Sequence, residues 1–305
     1  MEFLQPGSLD EAIAAKAGQP AAVPIAGGTD VMVEINFDVR RPPALLDLNR
    51  VSELTRWQRA GGQVRIGAGV TYARIITELG GVLPGLAMAA RTVGSPQIRN
   101  RGTVGGNLGA ASPAGDCHPM LLATGARVEV TSARGPRLIP VAEFFTGPKR
   151  NALDPDELIT AVLIPLAPGP QQFAKIGTRN AMVIAVCALA LELRPPGPGT
   201  PPGVGTGIGS AGPTPLRAPA AEEFLAGELA REGLWESAAP LPEPVATQFG
   251  ELVAAAARPI DDVRGSAAYR RHALSVLARR TLNWAWRSYR GEGETPDAGD
   301  AEGQR

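Results

Sequence analysis

The sequence predicts a mixed α and β protein in which a βαβ unit and a second strand–helix unit precede a third region of strands and a long helix. Three observations carry this expectation. Residues 22–48 run strand, glycine turn, helix, strand, the order of a βαβ unit. A new alternating run opens at Gln63 and the texture ends at the prolines 165 and 168. Beyond Phe173, apolar runs flank a Pro/Gly segment and give way to a long helical repeat. At 305 residues with 44% hydrophobic content, the chain is long enough for about two or more domains with real cores.

The elements follow in order. Ser8-Leu9-Asp10-Glu11 has the capping-box pattern and starts a helix that stops at Gly18. Ala22 to Ile25 is a brief strand, Val31 to Ile35 a helix, and Ala44 to Leu48 the next strand. A second unit begins near residue 60, with a strand at Val64 to Gly69 and a helix capped by Thr71 that runs through Ile75, Ile76 and Leu79. Leu86 to Val93 is another helix, residues 102–109 form a glycine-rich loop, and a helix surrounds Pro119 to Ala123. Strands are expected at Val128 to Val130 and Leu158 to Pro165. The third region opens with a strand at Phe173 to Gly177 and the apolar stretch Ala181 to Leu193. A connection at 194–203 follows, too rich in proline and glycine for helix or ladder. Gly205 to Gly209 reads as a strand with close backbone packing, and Leu274 to Trp286 as part of an amphipathic helix ending near 289. The expected division is 1–60, 61–170 and 171–290, with a disordered acidic tail at 291–305.

Composition excludes several functions. Thirty basic residues balance thirty acidic ones, which argues against broad capture of nucleic acid or an anionic membrane. Two cysteines (Cys117, Cys187) and two histidines (His118, His272) supply neither a zinc cage nor an iron–sulfur cluster, so no metal site is expected in this chain. No signal peptide or membrane span is expected, and a reducing cytoplasm is the default compartment. The 37 glycines are where function is sought.

Pro24-Ile25-Ala26-Gly27-Gly28-Thr29-Asp30 follows a strand and opens a helix, where free N–H groups suit a phosphate; a plain turn capped by Thr29 or Asp30 is the competing reading. Gly102-Thr103-Val104-Gly105-Gly106-Asn107-Leu108-Gly109 is a second such segment, preceded by Arg99 and Arg101. Two phosphate-type loops fit a pyrophosphate. Neither satisfies GxGxxG with an acid about 20 residues on, so the site is not of the Rossmann kind. Asp116 is either an acceptor for a ribose or adenine donor, or a loop cap. Asp116-Cys117-His118 makes no metal or nucleophile site, because three adjacent side chains cannot face one point.

Together, Ala26-Gly27-Gly28-Thr29-Asp30, Arg99-Asn100-Arg101-Gly102-Thr103-Val104-Gly105-Gly106-Asn107 and Ser112-Pro113-Ala114-Gly115-Asp116 resemble the FAD-binding medium subunit of the molybdenum hydroxylases, the xanthine dehydrogenase and carbon monoxide dehydrogenase family. The likeness continues through Pro155-Asp156-Glu157-Leu158-Ile159, Phe173 to Arg179, Gly212 to Arg217 and Asp262 to Arg271, covering about 2 to 290. It implies an α+β fold with two α/β FAD-binding subdomains of the vanillyl-alcohol oxidase type and a C-terminal domain of antiparallel sheet and helices. It also implies FAD held by Ala26, Gly27, Gly28, Thr29, Asp30, Thr103, Val104, Gly105, Gly106 and Asn107, with Asp116 at the adenosine and Ile159 and Lys175 beside the flavin.

No catalytic residue is assigned to this chain. The resemblance implies an oxidoreductase subunit working with an iron–sulfur small subunit and a molybdopterin large subunit, as a dimer of heterotrimers. Electrons would pass from the partner's cluster through FAD to an external acceptor, while a xanthine-like substrate, another aromatic heterocycle or an aldehyde is oxidised on the partner chain. A stand-alone flavin oxidase and a non-catalytic nucleotide-binding scaffold are the alternatives. One departure stands out: Met182 occupies a position near the flavin that is often acidic in the family. Thr29-Asp30 resembles the xanthine and aromatic-substrate branches more than the carbon monoxide branch.

Overall fold

The computed structural model describes residues 1–197 and 201–292. The chain folds around three principal sheets. In the first, Ala44–Asp47 lies at the centre, parallel to Val23–Ile25 on one side and Glu2–Leu4 on the other. All four of its residues are buried, as expected of a strand covered on both faces. The βαβ unit is therefore present, and the three-residue strand Glu2–Leu4 adds an edge that no periodicity could signal. Ser8 caps the helix Leu9–Gly18 by accepting from the Glu11 N–H, but the Glu11 carboxylate reaches the N–H of Gly7 rather than that of Ser8.

The second sheet has five antiparallel strands in the order Trp57–Ala60, Gln63–Gly67, Leu158–Pro165, Arg127–Ser132, Gly135–Pro140. Leu158–Pro165 is central and buried at every position but its last. The connection from Gly67 to Arg127 holds five helices: Tyr72–Glu78, Pro84–Arg91, Pro96–Arg101, Val104–Ala110 and His118–Ala123. Residues 102–109, expected as a loop, are mostly the helix Val104–Ala110. Thr103 caps it by accepting from the Gly106 N–H, and the glycines are tolerated because neighbours press on them: a Cβ on Gly105 would stand 2.5 Å from that of Ala68.

The third sheet is a meander of Gln171–Ile176, Cys187–Arg194 and Gly203–Gly209, covered by the helices Pro219–Arg231 and Ala267–Tyr289, on which Glu243–Ala256 packs in turn. Pro219–Arg231 and Glu243–Ala256, and the short Leu234–Ser237, were not expected; Ala267–Tyr289 was, and it begins seven residues before Leu274. The central strand alternates between two cores. Cys187, Leu189, Leu191 and Leu193 face the cluster under the C-terminal helices, whereas Ala188 and Ala190 face the cluster that spans the first two sheets. Gly205 and Gly207 pack backbone to backbone on the helix His118–Ala123, since a Cβ on either would overlap the carbonyl oxygen of Ala123 or Pro119. This is the close approach expected of Gly205 to Gly209. Residues 198–200 of the Pro/Gly connection, and 293–305 of the expected disordered tail, lie outside the described residues. Among the described residues no helix is long and apolar enough to cross a membrane.

Candidate cofactor-binding site

A cleft of about 630 Å³ opens between the first and second sheets, within the usual range for a small-molecule site. One wall is the turn after Val23–Ile25. Gly28 takes φ +73°, a left-handed conformation natural to glycine, and a Cβ on Gly27 would overlap the Arg101 carbonyl, so the turn lies directly on the end of the helix Pro96–Arg101. The N–H groups of Gly27, Gly28, Thr29 and Asp30 make no hydrogen bond among the described residues. Asn49 steadies the turn, its side-chain amide donating to the Ala26 carbonyl at 3.0 Å. Asp30 makes no side-chain cap to the helix Val31–Asn36, so the plain capped turn is not what forms.

The opposite wall is the start of the helix Val104–Ala110, and its chemistry differs. The Val104 N–H donates to Val70 O, Gly105 to Ala68 O, Gly106 to the Thr103 hydroxyl and Asn107 to Thr103 O. The two segments expected as phosphate-type loops thus differ in what they offer. The first segment presents a run of four unbonded N–H groups, whereas in the second the N–H groups of Val104 to Asn107 are engaged and it contributes a close, side-chain-poor surface at Gly105 and Gly106. Asn107 supplies a polar group, because its Oδ1 is buried without a partner and the residue lines the cleft. The Tyr72 hydroxyl is likewise buried and unpartnered, and burial holds its ionisation well above the usual range.

Ten of the thirteen residues named from the sequence line this cleft: Ala26, Gly27, Gly28, Thr29, Asp30, Thr103, Gly105, Gly106, Asn107 and Ile159. Three do not. Val104 is 1% exposed and packs into the core. Asp116 and Lys175, assigned by resemblance to the adenosine and flavin ends, instead form one buried ion pair with Nζ–Oδ2 at 2.7 Å. Groups in direct contact cannot serve opposite ends of an extended dinucleotide, and their mutual neutralisation is what allows both to be buried. Lys175 also donates to Thr92 O, burial raises the Asp116 carboxyl, and Asp116 Oδ1 has no partner.

Sequence reasoning missed Lys16, which reaches the cleft from the first helix with its Nζ donating to Pro20 O and Ala22 O, both at 2.7 Å. Burial, then the charge of Arg40, lowers its pKa. Its position one turn after the buried Ala12 was the available signal. Lys149 and Glu34, paired at 2.9 Å, also line the cleft although 115 positions apart in sequence. Met182 adopts φ +50° with its carbonyl held by the Arg179 guanidinium; it does not line the cleft, whereas Ile184, two residues on, does. Met182 itself is 57% exposed. Among the described residues no group of His, Cys, Asp and Glu is placed to hold a metal ion.

The family model described as the FAD binding domain in molybdopterin dehydrogenase matches residues 1–167, and that of the CO dehydrogenase flavoprotein C-terminal domain matches 172–285. The chain belongs to this flavoprotein family. A relative within it, the nicotine 6-hydroxylase medium subunit of Paenarthrobacter nicotinovorans, is 33% identical over 92% of this chain and 96% of its own length. Among solved structures, quinoline 2-oxidoreductase from Pseudomonas putida 86 superposes with a TM-score of 0.85 at 26% identity, covering 95% of this chain and 98% of its own. Carbon monoxide dehydrogenase from Hydrogenophaga pseudoflava gives 0.83 at 28% identity, covering 94% and 97%. The family's cofactor fits what the cleft offers. The free N–H groups of the first turn suit a pyrophosphate, the glycine surface permits close approach, and Asn107 Oδ1 has capacity for a donor.

Proposed function

We propose that this chain is the FAD-carrying electron-transfer subunit of a heteromeric molybdenum hydroxylase of the xanthine dehydrogenase family. The bound flavin supplies a redox carrier between an iron–sulfur cluster on a partner subunit and an external acceptor. The observation that carries the reading is the run of unbonded N–H groups from Gly27 to Asp30 facing a wall in which glycine replaces side chains at 105 and 106. The chain's own work is binding and positioning. The turn Ala26 to Asp30 holds the pyrophosphate. Thr103, Gly105 and Gly106 set the opposite wall, and Asn107 accepts from the cofactor. Ile159 forms part of an apolar floor that keeps water from it.

Residues 1–60 and 61–170 serve as the two lobes of the cofactor site, and 171–290 as the C-terminal domain. Substrate oxidation belongs to a molybdopterin large subunit, with the cluster on a small subunit and the whole assembled as a dimer of heterotrimers in the cytoplasm. A xanthine-like substrate, another aromatic heterocycle or an aldehyde is the substrate class, and the Thr29-Asp30 pair of the first turn favours the aromatic ones. Co-purification from the native source tests this reading. The chain should emerge with flavin absorbance and two partners that carry iron and molybdenum. If it emerges alone and oxidises a substrate with oxygen in the absence of either metal, it is a stand-alone oxidase.

A further inference from the structure

The helix Val104–Ala110 ends beside the cleft, with Gly109 exposed and Ala111 buried, and its last carbonyls are left to find donors outside the helix. Two are met by neighbouring segments: Gly109 O accepts from the Asn151 side chain at 3.0 Å and Ala111 O from the Lys149 N–H at 3.1 Å. A third, Asn107 O, lies 3.2 Å from Nε2 of His118 and also accepts the Ala111 N–H. The other ring nitrogen, Nδ1, stands 3.1 Å from Ser112 O. The ring is 0% exposed, tilts against Phe145 at a centroid distance of 4.6 Å, and lies so close to residue 115 that only glycine fits there.

His118 therefore bridges the end of the cleft-wall helix and the loop at 112–115. It does not line the cleft, and among the described residues it belongs to no group of His, Cys, Asp and Glu that could hold a metal ion. What it does hold is the backbone of Asn107, the residue whose side-chain oxygen is buried in the cleft wall without a partner. The backbone carbonyl is fixed by the ring while the side chain remains available to a ligand.

We infer that His118 is a positioning residue for the cofactor: by donating from Nε2 to the Asn107 carbonyl, it sets the place of the Asn107 side chain in the cleft wall. The inference rests on the FAD reading of the cleft. A neutral imidazole has one N–H, so it donates either to Asn107 O through Nε2 or to Ser112 O through Nδ1, oxygens that each already accept one backbone N–H, from Ala111 and Gly115 respectively; the proposed role is that of the Nε2–H tautomer.

The test compares His118→Gln, which keeps a donor, with His118→Leu, which fills similar space without one, and with Phe145→Leu, which loosens the packing of the ring but leaves its nitrogens. FAD dissociation constants of the full chain would be measured by quenching of flavin fluorescence, alongside visible circular dichroism of the bound flavin. His118→Leu should weaken FAD about fivefold to tenfold, as expected for one lost hydrogen bond, and alter the flavin dichroism. His118→Gln and Phe145→Leu should both stay within about twofold of the natural chain. The inference is overturned if His118→Leu binds like the natural chain, or if all three variants weaken alike, which would mean that packing alone matters. If the natural chain itself binds no FAD, the reading of the cleft fails first and this inference falls with it.

Discussion

At the scale of single residues, the buried pair Asp116–Lys175 is the feature whose role differs most from what its sequence neighbours suggest. With each charge balancing the other, removing the lysine leaves a carboxylate buried and unpaired. Lys175→Met should cost about 3–5 kcal/mol in urea unfolding, and the double variant Lys175→Met/Asp116→Leu should recover much of that. A lysine acting only on the flavin would instead shift the flavin potential and leave the unfolding midpoint unchanged.

His118 gives a second residue-level expectation. Burial pushes its pKa down to about 4 from an ordinary 6.5. Above pH 6.5 the ring is neutral whether the chain is folded or not, and it contributes nothing to pH dependence. As pH falls from 6.5 towards 4, the unfolded chain takes up a proton that the folded chain refuses, so stability declines across that window by up to about 3 kcal/mol. His118→Gln should flatten this part of the stability–pH curve, which urea titrations at pH 7, 5.5 and 4.5 would reveal.

The glycines divide by what surrounds them. Gly106 has only the Thr103 hydroxyl at 3.0 Å near its missing Cβ, so Gly106→Val should fold and lose FAD. Gly27→Ala meets the Arg101 backbone and should lose stability as well, by about 1–3 kcal/mol. Far-UV dichroism and thermal unfolding beside flavin content separate the two outcomes.

At the scale of elements, the contact between the strand Gly203–Gly209 and the helix His118–Ala123 joins the C-terminal sheet to the cofactor half of the chain. Because residue 207 lies directly on the Pro119 carbonyl, Gly207→Ala should destabilise by about 1–3 kcal/mol, as overpacking does. Gly227 is its opposite. It sits within the helix Pro219–Arg231 with nothing within 4 Å of the missing Cβ, so Gly227→Ala should stabilise by about 0.5–1 kcal/mol. The two substitutions are chemically identical, so opposite shifts in the urea midpoint would isolate the effect of the close approach.

Legibility at this scale follows local signals. Ser8 and Thr71 announced their helices because a side-chain oxygen can satisfy a first-turn N–H whatever the tertiary context. Residues 102–109 looked like loop because glycine disfavours helix by itself; Thr103 capping and the press of Ala68 against Gly105 made it one. The helices Pro219–Arg231 and Glu243–Ala256 carried no comparable side-chain cap and went unread.

At the scale of the whole molecule, two cores share one strand. Cys187–Arg194 turns its leucines to the C-terminal helices and its alanines to the cofactor half, so the two parts are held at a fixed distance. That shared strand suits the proposed carrier-holding role. The purified chain alone should show no substrate turnover, whereas the reassembled complex should; activity of the isolated, metal-free chain would contradict this.

The sequence by itself determined the βαβ start and the long terminal helix through local propensity and spacing, while the family, the antiparallel third sheet and ten cleft residues were legible through the resemblance carried by its glycine segments and the motifs that follow them. Only the tertiary structure decided which glycine segment keeps its N–H groups free, that Asp116 and Lys175 find each other across 59 positions, and that Lys16 and Lys149 reach the cleft. The physical reason is common to all three. A hydrogen bond or ion pair is assigned by which partner is nearest in space, and for groups far apart in the chain that is settled by how the sheets pack.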